Sequence, residues 1–337
     1  MKKVRNFVAV ILNLSLVLCM FTACGNNGAT TDGEVVVLKA GHVLSEEGHY
    51  QVALEAMKKY MEEKTDGKFT LEIYPNSQLG DERALFEGTQ LGTVDIACGA
   101  TSVLSNFDPS FTIFDLPYLF DNRDHAFAAL DSEAGQAKLD NLEQYNMIGL
   151  AYYDTGFFEI LNSKKAINNL ADAKGLTIRT VENSVFIEYM NAIGVNPNPM
   201  AWTDAYLAMQ NGTIDGTCNP IGPIYNTKVY EICQNYARTE AIYGPIVLTV
   251  SKQKYDSLSP EYQQILKDAA KASVAVEREF NVNREEQLLS EMEDAGLKVT
   301  YPDKEEFKKA SVEKVYAQFV GDIVSAEEVE AFKNIAY

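Results

Sequence analysis

Histidine, tryptophan and paired cysteine are scarce in this chain, which holds three His, one Trp and five Cys in 337 residues. Three histidines leave little scope for imidazole-rich metal chemistry, and no Cys-x-x-Cys spacing offers a zinc or redox site. Enzyme signatures are missing too: there is no GxSxG nucleophile elbow, no HExxH, no Walker loop and no GxGxxG turn. Basic residues are in deficit, 29 Lys and Arg against 48 Asp and Glu, a formal net charge of −19. That balance argues against nucleic-acid binding, whose affinity comes from phosphate neutralisation. What is present, 46% hydrophobic and 23% charged residues, fits a folded, acidic, soluble body of two domains or one large one.

The first residues read differently. Lys2, Lys3 and Arg5 precede an apolar stretch from Phe7 to Phe21 broken only by Asn13 and Ser15, the layout of a signal peptide. The stretch is short for a membrane span, which needs about 20 apolar residues. Phe21-Thr22-Ala23-Cys24 resembles a bacterial lipobox, with Phe21 where Leu is usual. The expectation is a leader over residues 1–23, lipidation at Cys24, and a flexible tether of small polar residues over 24–33. The competing reading is an uncleaved anchor with an incidental cysteine. Loss of the leader removes only basic charge and leaves Cys98, Cys218 and Cys233, enough for one disulfide and no framework.

From Glu34 onward short β-rich runs alternate with helical stretches, the rhythm of an α/β protein. Strand candidates are 35–40, Phe69–Tyr74, Val94–Cys98, Ile148–Tyr153, Leu176–Val181 and Ile246–Val250. Helix candidates are Glu46–Thr65, Glu82–Leu91, His125–Leu139, Ser184–Ile193 and Thr203–Gln210. The two halves share this grammar without a visible sequence repeat. From Glu261 to Ala295 there is no Gly or Pro, and Tyr262, Ile265, Leu266, Ala269, Val276, Phe280, Leu288 and Met292 keep a helical period. A continuous helix there spans about 50 Å and ties two domains together, unless it breaks near Asn281 to Asn283. His42 and His49 flank the first strand-to-helix loop, within reach of a ligand, whereas His125 opens a helix as a structural residue.

Several blocks now combine: Tyr74-Pro75-Asn76-Ser77-Gln78-Leu79-Gly80-Asp81-Glu82-Arg83, Gln90-Leu91-Gly92-Thr93-Val94-Asp95 and Phe114-Asp115-Leu116-Pro117-Tyr118-Leu119-Phe120. Asn162-Ser163-Lys164-Lys165-Ala166-Ile167, Lys174-Gly175-Leu176-Thr177-Ile178-Arg179 and Gly212-Thr213-Ile214-Asp215-Gly216 follow in order. Together they resemble the substrate-binding proteins of tripartite ATP-independent periplasmic (TRAP) transporters, the DctP-like family. The resemblance implies an α/β, two-domain, periplasmic-binding-protein-like fold of class II type, with the ligand cleft between domains and a long domain-spanning helix. It divides the chain into a first domain of 34–155 plus 245–284 and a second of 156–244 plus 285–337. It also implies an extracytoplasmic receptor, a monomer, that passes a small carboxylate to large and small membrane subunits, with no cofactor, no metal and no catalysis.

Site residues follow from the same resemblance. Arg179 takes the place of the arginine that grips the substrate carboxylate, and a planar guanidinium suits a carboxylate through two parallel bonds. Asn219 matches the asparagine that helps hold it, although Cys218 stands where Glu is common. Trp202 falls where an aromatic lies against the ligand. Phe158 occupies a place that often holds a second Arg, so a single carboxylate is favoured unless His42 supplies the charge. Glu82 is placed to accept hydrogen bonds from ligand hydroxyls, and Ala100 replaces the Glu of sialic-acid binders. A sugar acid such as a uronate or aldonate suits this set best. A C4-dicarboxylate, keto or aromatic acid, or a sensor of the same fold feeding a signalling receptor, is the alternative.

Overall fold

The computed structural model describes residues 35–337. The expected leader, Cys24 and the tether lie outside those residues. Nine strands form the sheet: β1 Val36–Gly41, β2 Phe69–Tyr74, β3 Ile96–Ala100, β4 Met147–Asn162, β5 Thr177–Thr180, β6 Asn196–Pro199, β7 Gly216–Asn219, β8 Asn235–Ser251 and β9 Lys298–Thr300. Their order, β2-β1-β3-β8-β4-β7-β5-β6 with β9 beside β8, is palindromic in its connectivity. Two parallel triplets, β2-β1-β3 and β6-β5-β7, flank the antiparallel pair β8 and β4.

That symmetry exposes a repeat the sequence reading missed. Gly92-Thr93-Val94-Asp95 and Gly212-Thr213-Ile214-Asp215 each join a helix, Glu82–Leu91 or Trp202–Gln210, to the third strand of a triplet. Both glycines are left-handed, φ 76° and 69°, a conformation that a side chain would strain. Asp95 accepts the Lys39 N–H at 2.8 Å, and Asp215 accepts the Thr177 N–H at 2.8 Å, so each locks its loop to the first strand of its triplet.

β4 and β8 are 16 and 17 residues long, far beyond the expected 148–153 and 246–250. Their mutual register shifts between Gly149 and Ala151, between Asp154 and Phe157, and between Phe158 and Ile160. The last two bulges fall where the pair leaves its β3-side partners and joins β7, so both strands bend there. Polar residues such as Asp154, Thr155 and Glu159 hid the strand, because their partners come from distant elements.

The long helix is continuous over Pro260–Asp294, capped by Ser259, whose hydroxyl accepts the Tyr262 N–H. No break occurs near Asn281. Its early residues Leu266, Ala269 and Ala270 join the main core, whereas Leu288, Leu289 and Met292 join a second cluster with Ala205, Ile214 and Tyr236. Between them the buried stripe turns polar at Ser273, Glu277 and Asn281. Residues 123–141 form two helices, not one, since Ser132 caps the second. The C-terminal helix Ala326–Lys333 packs on the first half: Phe332 meets Phe114, and its carbonyl contacts His125. Cys98, Cys218 and Cys233 are separate buried thiols.

Candidate functional site

Because a parallel strand points its C-terminal end into a loop, the crevice outside those ends is where α/β sheets receive ligands. Both triplets open toward one such crevice. Its lining draws Val43 and Leu44 from after β1, Ala100 from the end of β3, Val181 from after β5 and Asn219 from the end of β7. Glu82 and Trp202, the first residues of equivalent helices, face it from opposite halves, and Thr155, Phe158 and Ile246 come from the bent pair. The crevice offers about 390 Å³ of free space, part of it open solvent.

Arg179 is 3% exposed. Its Nε and Nη2 donate to the Met200 carbonyl at 3.0 and 2.9 Å, and its guanidinium lies 5.3 Å from the Trp202 ring centroid. Among the described residues no acid reaches it within 4 Å, and it is the only cation of the lining. Burial pulls its pKa down to about 10, against the opposing pull of Glu82. A buried, uncompensated guanidinium is a receptor for an anion.

Glu82 accepts the Ala100 N–H at 3.1 Å and the Tyr50 hydroxyl at 3.4 Å. Burial raises its pKa to about 7, offset by the Ala100 bond and Arg179. Near neutrality it can therefore both accept and donate hydrogen bonds. Phe158 is buried against Phe186, with ring centroids 4.7 Å apart. Gly244 makes room for it: a Cβ there would stand 2.4 Å from Phe158 Cε2 and 3.0 Å from Thr155 Cγ2.

The structure brings Arg179, Asn219, Glu82, Phe158 and Trp202 into one lining, and leaves His42 out of it. His42 is fully buried, its Nε2 2.8 Å from Gln51 Oε1, and burial lowers its pKa to about 4. It is neutral, so it adds no second positive charge. A neighbouring hollow shares Glu82, Arg179 and Trp202 and adds Arg83, whose Nε is 3.1 Å from Glu87. Sequence reading passed over Tyr50 and Thr155. The one available signal for Thr155 was Gly156 inside a strand-like run, which marks a bulge.

Comparison with known proteins bears on the family and the fold. The family model described as bacterial extracellular solute-binding protein, family 7 (DctP), matches residues 40–322. The 2,3-diketo-L-gulonate-binding periplasmic protein YiaO of Escherichia coli is 29% identical over 287 residues, covering 85% of this chain and 88% of that one. A TRAP periplasmic solute-binding protein from Polaromonas, bound to D-erythronate, superposes with a TM-score of 0.87 at 32% identity, covering 90% and 99% of the two chains. Another from Xanthobacter autotrophicus, with bound β-D-galacturonate, gives 0.85 at 30%, covering 89% and 100%. These are binding proteins of the expected two-domain α/β fold. The match across most of the chain, on the fold and cleft just described, makes this protein a member of the DctP family of TRAP transporter substrate-binding proteins.

Proposed function

We propose that this protein is an extracytoplasmic receptor that captures a sugar acid with one carboxylate, a uronate or an aldonate, and delivers it to TRAP membrane subunits for ion-gradient-driven uptake. One observation carries the reading: Arg179 is buried in the cavity with no acidic partner within 4 Å among the described residues. The ligand carboxylate supplies that partner, with Asn219 beside it. Glu82, Tyr50 and Thr155 serve the hydroxyls, and Phe158 and Trp202 flank the carbon skeleton. A second carboxylate would enter a lining with no second cation, which disfavours C4-dicarboxylates.

The lobes in this reading are 34–155 plus 245–284, to which the contacts of 326–337 add that segment, and 156–244 plus 285–325. They close on the ligand to the extent that it binds the closed form more tightly. Cys24 anchors the body to a membrane by its lipid, and no step of catalysis is involved. Isothermal titration against D-galacturonate, D-galactonate, D-erythronate and succinate tests the reading. Sugar acids bound at least tenfold tighter than succinate, and recovered chemically unchanged, are expected; succinate bound more tightly overturns it. A Cys24→Ser variant should be shed from membranes, and retention there overturns the anchor.

A further inference from the structure

Two buried titratable residues outside the cavity lining, His49 and Glu277, are joined to it through Thr155. Thr155 lines the cavity, and its Oγ1 lies 3.1 Å from His49 Nε2. The other ring nitrogen, Nδ1, is buried without a hydrogen-bond partner, and it faces Glu277 Oε1 at 3.8 Å, an atom that is also buried and unpartnered. The separation is longer than a hydrogen bond, so the two atoms face each other in ion-pair range and would bond on closing by about half an ångström. Glu277 Oε2 is already committed, accepting the Asp154 N–H at 2.8 Å.

Charge is distributed unevenly between the two neighbouring acids. Asp154 receives Arg123 Nε at 3.0 Å, the Tyr243 hydroxyl at 2.7 Å and the Asn281 amide at 2.8 Å. Glu277, fully buried on the long helix, has no Lys or Arg within 4 Å among the described residues. Asp154 thus has the cation and the donors beside it, an arrangement that favours the proton on Glu277. Burial, reinforced by Asp154, acts in the same direction on Glu277, and burial also holds His49 neutral, down to about 3. The other groups bearing on the pair are Arg123, Arg278, His42, Tyr50, Tyr153 and Cys98.

A neutral imidazole has one donor and one acceptor. With Glu277 Oε1–H donating to Nδ1, the ring proton sits on Nε2 and is donated to Thr155 Oγ1, and the threonine proton must point elsewhere. We propose that Glu277 and His49 are positioning residues that fix Thr155 as a hydrogen-bond donor into the cavity, matched to an acceptor oxygen of the bound sugar acid. This rests on reading the cavity as the ligand site. When Glu277 ionises, one proton leaves to solvent and the ring proton moves to Nδ1. The threonine hydroxyl then turns back to Nε2, and the donor is lost. Affinity therefore falls as pH rises through that ionisation.

The test has two arms. Long-range ¹H–¹⁵N correlation of the ligand-free protein, with His49 assigned by its disappearance in His49→Gln, should show the ring protonated at Nε2 near neutral pH. An Nδ1-protonated ring or an imidazolium overturns the proposal. Titration with D-galacturonate and D-erythronate should find Glu277→Gln, which mimics the protonated acid, within about twofold of the parent and without its alkaline loss. Glu277→Leu and Thr155→Val should each weaken binding about five- to tenfold, and together no further. Glu277→Gln as damaging as Glu277→Leu, with both variants folded by circular dichroism, overturns it. If neither acid binds the parent protein, the ligand-site reading and the role of Thr155 fall together, while the ligand-free spectrum still decides the Glu277–His49 proton.

Discussion

Arg179→Met removes the cavity's positive charge at nearly constant volume and separates binding from folding. Burial brings the Arg179 pKa down to about 10, so the charged form is disfavoured in the folded chain. For a base the sign is then fixed: the penalty is fully present below pH 10 and disappears above the unfolded value. At 1.36 kcal/mol per tenfold it amounts to about 3 kcal/mol in the ligand-free protein. The substitution relieves this, but strips the Met200 carbonyl of two donors, which costs roughly 1–3 kcal/mol. The two nearly cancel, so the ligand-free variant should unfold within about 2 kcal/mol of the parent in urea. Binding has no such compensation. Losing one side of a buried charge pair costs roughly 3–5 kcal/mol, a drop of about a hundredfold to several thousandfold in affinity. Arg179→Lys, which keeps the charge but not the planar fork, should fall between. Calorimetric titration with D-galacturonate on the same preparations reads both effects. Arg179→Met binding within fivefold of the parent would refute the carboxylate clamp.

Other expectations follow from the same geometry. Glu82 titrates near 7, so the stability its proton confers is complete below the ordinary glutamate range and is lost as pH rises through 7. Glu82→Gln should accordingly raise the melting temperature relative to the parent at pH 8 and not at pH 4; equal differences at both would contradict the burial argument. Gly244→Ala should drive Phe158 into the cavity, destabilising by about 1–3 kcal/mol and weakening ligand binding, and unchanged affinity in titration would show that the ring yields elsewhere. Asp95→Ala and Asp215→Ala each free a backbone N–H held at 2.8 Å, and denaturant melts should show similar losses of about 1–3 kcal/mol. A large loss in one and none in the other would undo their equivalence.

Much of the molecule was legible in one dimension. Helix Glu82–Leu91 and strand Phe69–Tyr74 were legible to the residue, because capping, left-handed glycine and apolar alternation are local signals. The long helix was legible from an unbroken period without Gly or Pro, and Arg179, Asn219, Glu82 and Trp202 were visible through short blocks of motif. Tertiary structure decided the remainder. The full length of β4 and β8 depends on each being the other's partner across a bend, and polar residues such as Glu159 are admitted only because remote backbone amides satisfy them. His42 looked like a cavity cation in one dimension, but burial beside Gln51 makes it neutral and sets it apart. His49 and Glu277, 228 positions apart, meet only after the long helix has crossed the bent strands. Local propensity reads out neighbours within a turn or two of chain, whereas burial, charge state and the shape of the cleft are set by which distant surfaces exclude water together.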